Sequence, residues 1–238
     1  MPELFTVSPE MLKILPTFPQ EIWETLYSTL FSTFFAYVIG LPLGILLVVG
    51  ERDGILPLPR FLMKFINAIV NIIRSIPFLI FMMMILPLSL IILGTRIGTV
   101  ASIPPLIIAA APFVARMVES SLREVDKGVI EAAQAMGCSP MQIIFKVMLP
   151  ESLPSLLSGA TIALTTILGY GAMAGAIGGG GLGKVAINSG YYRNWPDIML
   201  LAVILLILLV QIFQSIGSWL AVRSDKRLTN TKKGRLRK

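Results

Sequence analysis

Residues 198–222 read IMLLAVILLILLVQIFQSIGSWLAV, 25 consecutive positions without a charge. A helix needs about 20 predominantly apolar residues to cross roughly 30 Å of hydrocarbon, and this run exceeds that length. Four more charge-free runs precede it, at 25–50, 75–95, 97–115 and 152–183, with lengths of 26, 21, 19 and 32 residues. Five such runs in a chain of 238 residues would aggregate in water. They do not alternate apolar and polar residues with period two, which disfavours a membrane β-barrel. The chain reads as an all-α polytopic membrane protein with five transmembrane helices.

The charges give an orientation. Lys+Arg number 20 against 13 Asp+Glu, a formal net charge of +7. From Arg223 to Lys238 there are eight basic residues and one acidic residue, so the first 222 positions are neutral overall. Charged residues make up 14% of the chain, against about 25% in a soluble domain. A uniformly basic nucleic-acid binder is excluded. With the tail in the cytoplasm, the inside segments 51–74, 116–151 and 223–238 hold 16 of the 20 Lys+Arg, and the outside keeps Lys13, Arg96, Lys184 and Arg193. The positive-inside rule then places the N-terminus outside and the tail in the cytoplasm. The acidic N-terminal segment (Glu3, Glu10) and the long first run do not fit a cleavable signal peptide.

The composition also limits the chemistry. With no histidine, Ser-His-Asp and Cys-His nucleophile systems and H-E-x-x-H zinc sites are excluded. Cys138 is the only cysteine and cannot form an internal disulfide. No aspartate lies within a charge-free run, so an intramembrane aspartyl enzyme has no catalytic pair. Neither catalytic nor metal-ligating residues are expected.

Two boundaries stay open. Residues 58–74 are largely apolar but end in Arg74, just before Ser75-Ile76-Pro77. Either the second span begins near Leu58 and encloses Arg74, or an interfacial helix precedes a break at Pro77. An ionisable residue inside a span is a functional candidate; at the interface Arg74 is an anchor. The run 152–183 is too long for one crossing, so its helix is expected to end before Gly178, leaving a glycine-rich outer loop.

The sizeable hydrophilic segment between spans is 116–151. Asp126-Lys127-Gly128 reads as a turn, followed by a helical stretch from Val129 to Met136. Glu131 is followed there by Ala132, Ala133 and Ala135, small residues that permit close approach. Gly137 turns the chain, and Ser139-Pro140 is an N-cap with proline at the first helical position. Met141, Ile144, Val147 and Met148 recur at helical spacing, and Leu149-Pro150 is expected to end this second helix. Two short helices joined at a glycine suit a docking element, or a hairpin that merely returns the chain to the bilayer.

Glu131-Ala132-Ala133, three residues, Gly137, nine residues, then Val147-Met148-Leu149-Pro150 resemble the EAA loop of ABC-importer permeases, E-A-A-x3-G-x9-I-x-L-P, with Val147 in the isoleucine slot. Val70-Asn71-Ile72-Ile73-Arg74-Ser75-Ile76-Pro77-Phe78, the stretch from Ala110 to Glu119, and the stretch from Gly169 to Ala176 are similar to the corresponding parts of methionine-importer permeases. The similarity runs from about Ile22 to the end of the fifth span. It implies a type I ABC importer permease fold, with an external segment at 1–19, a permease domain at 20–222 that includes a cytoplasmic coupling loop at 120–151, and a basic tail at 223–238. It further implies a bacterial inner or plasma membrane, a homodimer that forms the path for D/L-methionine, two cytoplasmic ATPase subunits that carry ATP and Mg, and an external substrate-binding protein. The chain itself is then not an enzyme and binds no cofactor. Glu131, Ala132, Ala133, Gly137, Val147, Leu149 and Pro150 are the implied ATPase-docking residues. Polar amino-acid, glycine-betaine and phosphonate permeases share the loop, so another small solute is the alternative substrate.

Residues 178–184, GGGGLGK, satisfy G-x-x-x-x-G-K. A working P-loop needs Ser or Thr next, but residue 185 is valine, and no flanking strand is visible. The expectation is structural instead: Gly171, Gly175, Gly179 and Gly183 recur every four residues, so Gly171 and Gly175 should form a close-packing helix stripe. Candidate path residues are Thr161, Thr165, Tyr170 and Met173 on the fourth span, although threonines in spans commonly bond their own backbone. An ion-coupled secondary transporter is the rival class. It would want mid-membrane charges, for which Arg74 alone qualifies. A scaffold that recruits a cytoplasmic partner without transport also fits the loop.

Overall fold

The computed structural model describes residues 9–225. Residues 1–8 and 226–238, the latter with seven of the eight basic tail residues, lie outside the described residues. Among the described residues every regular element is helical. A short helix α1 (Pro9–Ile14) and a tight turn (Leu15–Thr17) lead into α2 (Phe18–Val49). Then come α3 (Arg60–Ser75), α4 (Phe78–Leu93) and α5 (Thr99–Arg123). The hydrophilic segment contributes α6 (Lys127–Ala135), α7 (Pro140–Ile143), a wide turn at Ile144–Met148 and α8 (Leu149–Glu151). Helix α9 (Leu153–Ala174) follows, then α10 (Gly181–Lys184), a wide helical stretch at Val185–Tyr192, and α11 (Pro196–Ser224).

Four helical stretches, Pro9–Val49, Thr99–Arg123, Leu153–Ile177 and Pro196–Ser224, are long and apolar enough to cross a membrane. A fifth candidate, α3 with α4, is broken. Helices α3 and α4 are bent by 108° at the gap between Ser75 and Phe78. Pro77 explains the break: it lacks an N–H, disfavours helix at the residue before it, and itself adopts an extended ψ of 130°. Arg74 falls in the last turn of α3, exposed, where a cation complements the carbonyl end of the helix.

The helix of the third run continues past Ala115 through Arg116, Glu119 and Arg123, where Glu119 pairs with both arginines three and four residues away. Two sequence expectations about boundaries are corrected. Leu149-Pro150 does not end the second hairpin helix. The chain stays helical through Glu151, since Pro150 sits in a first turn where a missing donor is harmless, and the break comes at Ser152. The segment after Gly178 is not an open loop, because Gly181–Tyr192 is helical.

The chain divides into two units, each with its own packing. Among the described residues, one takes 9–36, Arg74–Ala110 and Leu164–Ile212; the other takes Tyr37–Ile73, Ala111–Ala163 and 213–225. The first is centred on Phe18, Leu182, Val185, Ala186, Ile198 and Ala202. The second is centred on Leu47, Met63 and Ala115. In the second unit Gly40 and Gly44, one helical turn apart on α2, meet α5. A Cβ on Gly40 would lie 2.8 Å from the Ala111 carbonyl oxygen, and one on Gly44 would lie 2.6 Å from that of Ala115. In a bilayer, helices gain little from burying apolar surface and associate by close packing, which small residues permit.

Candidate functional site

The hairpin of α6 and α7 is built by local caps. The Asp126 side chain accepts from the Gly128 amide at 2.6 Å, so Asp126-Lys127-Gly128 is a helix start rather than a free turn. Nine residues later the helix closes at Gly137. The Gly137 amide donates to the Gln134 carbonyl at 2.9 Å and the Cys138 amide to the Ala133 carbonyl at 3.1 Å. This crossed pair is a Schellman closure. It needs a left-handed residue, and Gly137 has φ +79°. The next helix starts with a capping box: the Ser139 hydroxyl accepts from the Gln142 amide, and the Ser139 amide donates to the Gln142 side chain at 2.9 Å.

These caps fix which side chains the hairpin displays. Ala133, Ile143, Ile144 and Met148 are buried. Glu131, Ala132, Met136, Gly137, Met141 and Phe145 are exposed. Val147 and Leu149 are half-buried, and Pro150 is exposed. Ala133 therefore seats the first helix while Glu131 and Ala132 face outward. Among the described residues Glu131 forms no ion pair. With Glu51, Asp53, Arg123, Lys127 and Gln134 it borders a cavity of about 450 Å³ whose wall is half polar.

Immediately before the hairpin lies a charged network that sequence reasoning missed. Arg116 donates to Glu119 at 2.5 Å, to the Asn67 side chain at 2.8 Å and to the Asn71 side chain at 2.9 Å. Arg123 donates to the other oxygen of Glu119 at 2.9 Å and grips Glu51 with two bonds. Glu119, almost buried, thus sits between two guanidinium groups. The available signal was the spacing of Arg116, Glu119 and Arg123, which puts them on one helix face.

The glycine-rich segment holds no phosphate cradle. The Leu182 amide donates to the Thr25 hydroxyl at 2.9 Å, and the Gly178 carbonyl accepts from the Gly98 amide at 2.7 Å. A side chain at Gly180 would collide with Thr99 and Glu24, and one at Gly183 with the backbone of Ala172. The Thr99 hydroxyl donates to Glu24, and Lys184 pairs with Glu21 at 3.1 Å. Packed backbone and two carboxylates leave no room or charge for a phosphate, and no strand flanks the segment among the described residues. Gly175 packs tightly, since a side chain there would strike the backbone of Gly183 and Lys184, whereas among the described residues a Cβ on Gly171 would meet open space.

The candidate path residues are in different surroundings. The Thr161 hydroxyl donates to the Leu157 carbonyl at 2.9 Å, and a side chain at Gly217 of α11 would collide with Thr161. Thr161 therefore packs a helix contact. Thr165 is half-buried. Tyr170 stacks on Phe78 with ring centroids 4.1 Å apart and planes 5° apart. Met173 is exposed.

Residues 40–230 match the family described as binding-protein-dependent transport system inner membrane component. The chain is 50% identical over 208 residues to the Vibrio cholerae protein named "Probable D-methionine transport system permease protein MetI", covering 86% of this chain and 91% of that one. It is 49% identical over 162 residues to the Bacillus subtilis "Methionine import system permease protein MetP", covering 68% and 73%. In structure it is similar to a chain of the MetNI methionine ABC transporter in an inward-facing conformation. There the TM-score is 0.87 and the identity 44%, with 92% of this chain and 100% of that chain covered.

Proposed function

Since this chain belongs to the binding-protein-dependent transport system inner membrane components, we propose that it is the membrane-spanning subunit of an ATP-driven importer for D- and L-methionine. The carrying observation is the 50% identity to a D-methionine permease across 91% of that protein's length. An ATP-driven importer needs a path, a motor and a contact between them. The spans supply the path, formed by two copies of the chain. The motor is a pair of soluble ATPase subunits that hold ATP and Mg; this chain binds neither. The contact is the α6–α7 hairpin, whose exposed Glu131 and Ala132 beside the turn at Gly137 offer a carboxylate and a close-packing surface to a groove. Closure of the ATPase pair on ATP would draw the two hairpins together and tilt the attached helices, a rigid-body transition between two states. An external binding protein delivers the amino acid. The N-terminus lies outside, and the hairpin and basic tail lie in the cytoplasm.

The reading is tested by reconstituting the chain in vesicles with a partner ATPase and a methionine-binding protein, then following uptake of labelled L- and D-methionine. ATP-dependent uptake of both is expected, and Glu131→Lys should abolish it while leaving the chain in the membrane. Uptake of another amino acid but not methionine would overturn the substrate. Normal coupled uptake by Glu131→Lys would overturn the role of the hairpin.

A further inference from the structure

Helix α3 has three faces, and two of them are occupied. At roughly 100° per residue, Met63, Ile66 and Val70 share one face; Met63 and Ile66 pack with Leu47 and Ala115, and Val70 is buried. Arg60, Lys64, Asn67, Asn71 and Arg74 share a second, from which both asparagines bond Arg116. The third carries Phe61, Phe65, Ile69 and Ile72, which are 81%, 55%, 42% and 62% exposed. The rings of Phe61 and Phe65 stack, with centroids 6.5 Å apart and planes 16° apart. The row of four spans about 17 Å along the helix at roughly 1.5 Å per residue.

The charges of α3 have one sign. Its 16 residues contain Arg60, Lys64 and Arg74 and no carboxylate. Arg60 and Lys64 are exposed, and Lys64 is on the edge of the polar face nearest the Phe61–Phe65 row. A helix of this length reaches about 24 Å, short of the roughly 30 Å of hydrocarbon, and it carries a polar residue in every turn. It is therefore not a span by itself, and the break at Pro77 separates it from the apolar α4.

We propose that α3 lies along the membrane surface and binds anionic phospholipid: Phe61, Phe65, Ile69 and Ile72 enter the boundary of headgroups and acyl chains, and Arg60 and Lys64 hold the phosphate-bearing headgroups. A helix with an apolar row, flanking cations and low overall hydrophobicity seats in that layer. Each cation near an anionic surface raises association by roughly fivefold. The all-positive charge of α3 is complementary to anionic lipid and supplies nothing to pair with a basic protein surface. Anchored through Arg116, the helix would tie the charged end of α5 to the bilayer surface. The assignment depends on neither the methionine reading nor the orientation of the chain.

The test uses the full-length chain, with the subunits that accompany it, in vesicles of phosphatidylethanolamine with and without phosphatidylglycerol. In a Cys138→Ser background, a polarity-sensitive dye is attached at Phe65→Cys and, separately, at Phe61→Cys. Nitroxides near the top of the acyl chain should quench both dyes, and aqueous iodide should not. Spin-labelled phosphatidylglycerol should be held several-fold more than phosphatidylcholine. That preference should fall toward unity in Arg60→Gln/Lys64→Gln and, in the parent protein, on raising the salt. Iodide quenching, or shielding from both quenchers by a protein partner, would overturn the placement. A lipid preference indifferent to the cations and to salt would overturn the headgroup site.

Discussion

Arg123 grips Glu51 through both terminal nitrogens, Nη1 to Oε2 at 3.1 Å and Nη2 to Oε1 at 2.6 Å, and thereby ties the end of α5 to the turn after α2. Both side chains are nearly half exposed, so this pair is worth under about 1 kcal/mol. Glu119 differs. Almost buried between Arg116 and Arg123, it neutralises two cations at once. Its loss leaves Arg116 partly desolvated beside uncharged amides, at a cost of about 2 kcal/mol once exposure of Arg123 is discounted. Glu119→Gln should lower the melting temperature in detergent by several degrees, and Glu51→Gln by at most about 3 °C. Equal shifts would show that the network has no centre.

Gly44→Ala should destabilise the fold by about 1–3 kcal/mol, the usual range for overpacking, because its new methyl would lie 2.6 Å from both the Ala115 carbonyl and the Val118 side chain. Gly171→Ala has open space within this chain and should leave the melting temperature unchanged or slightly raised. Membrane abundance and thermal unfolding of the two variants read this contrast directly. The reverse order would mean that the packing stripe is on α9.

Gly137 makes a sharper case, since its φ of +79° is a backbone requirement rather than a matter of space. A non-glycine residue there costs about 1–2 kcal/mol, and asparagine tolerates the left-handed region better than others. Gly137→Asn should keep much of the uptake, whereas Gly137→Val should lose most of it, with equal amounts of chain in the membrane. Equal uptake by both would separate the Schellman closure from transport.

The parts legible in the sequence are those decided by neighbours along the chain. Span length is read from a run of residues, and the run at 198–222 lies within a helix of 29 residues. The hairpin was legible for the same reason: Ser139-Pro140 and Gly137 carry their own capping chemistry. Pro77 was legible as the place of a candidate break, and the helix does bend there by 108°. The illegible parts depend on distant partners. Arg123 meets Glu51 across 72 positions, and no local rule joins them. Gly40-x-x-x-Gly44 and Gly171-x-x-x-Gly175 have the same spacing, yet only the first has a partner helix against both glycines. Likewise GGGGLGK reads as a phosphate loop until Thr25 is found on the Leu182 amide.

Lys184 and Glu21 supply an asymmetric test. Glu21 is 8% exposed, and its Oε2 has no protein partner among the described residues, while Oε1 accepts from Lys184 at 3.1 Å. The Lys184 side chain is 45% exposed and keeps contact with solvent. Removing the lysine therefore strands a nearly buried carboxylate, whereas removing the negative charge leaves a lysine that water can solvate. Lys184→Met should cost about 2 kcal/mol, with the partner's exposure limiting the value, and Glu21→Gln under about 1 kcal/mol. The double variant should be more stable than Lys184→Met alone, because the stranded charge is gone. A double-mutant cycle on melting temperature measures this. Additive losses would mean that Glu21 is solvated without Lys184, and that the ion pair does not hold the helical stretch beginning at Gly181 against α2.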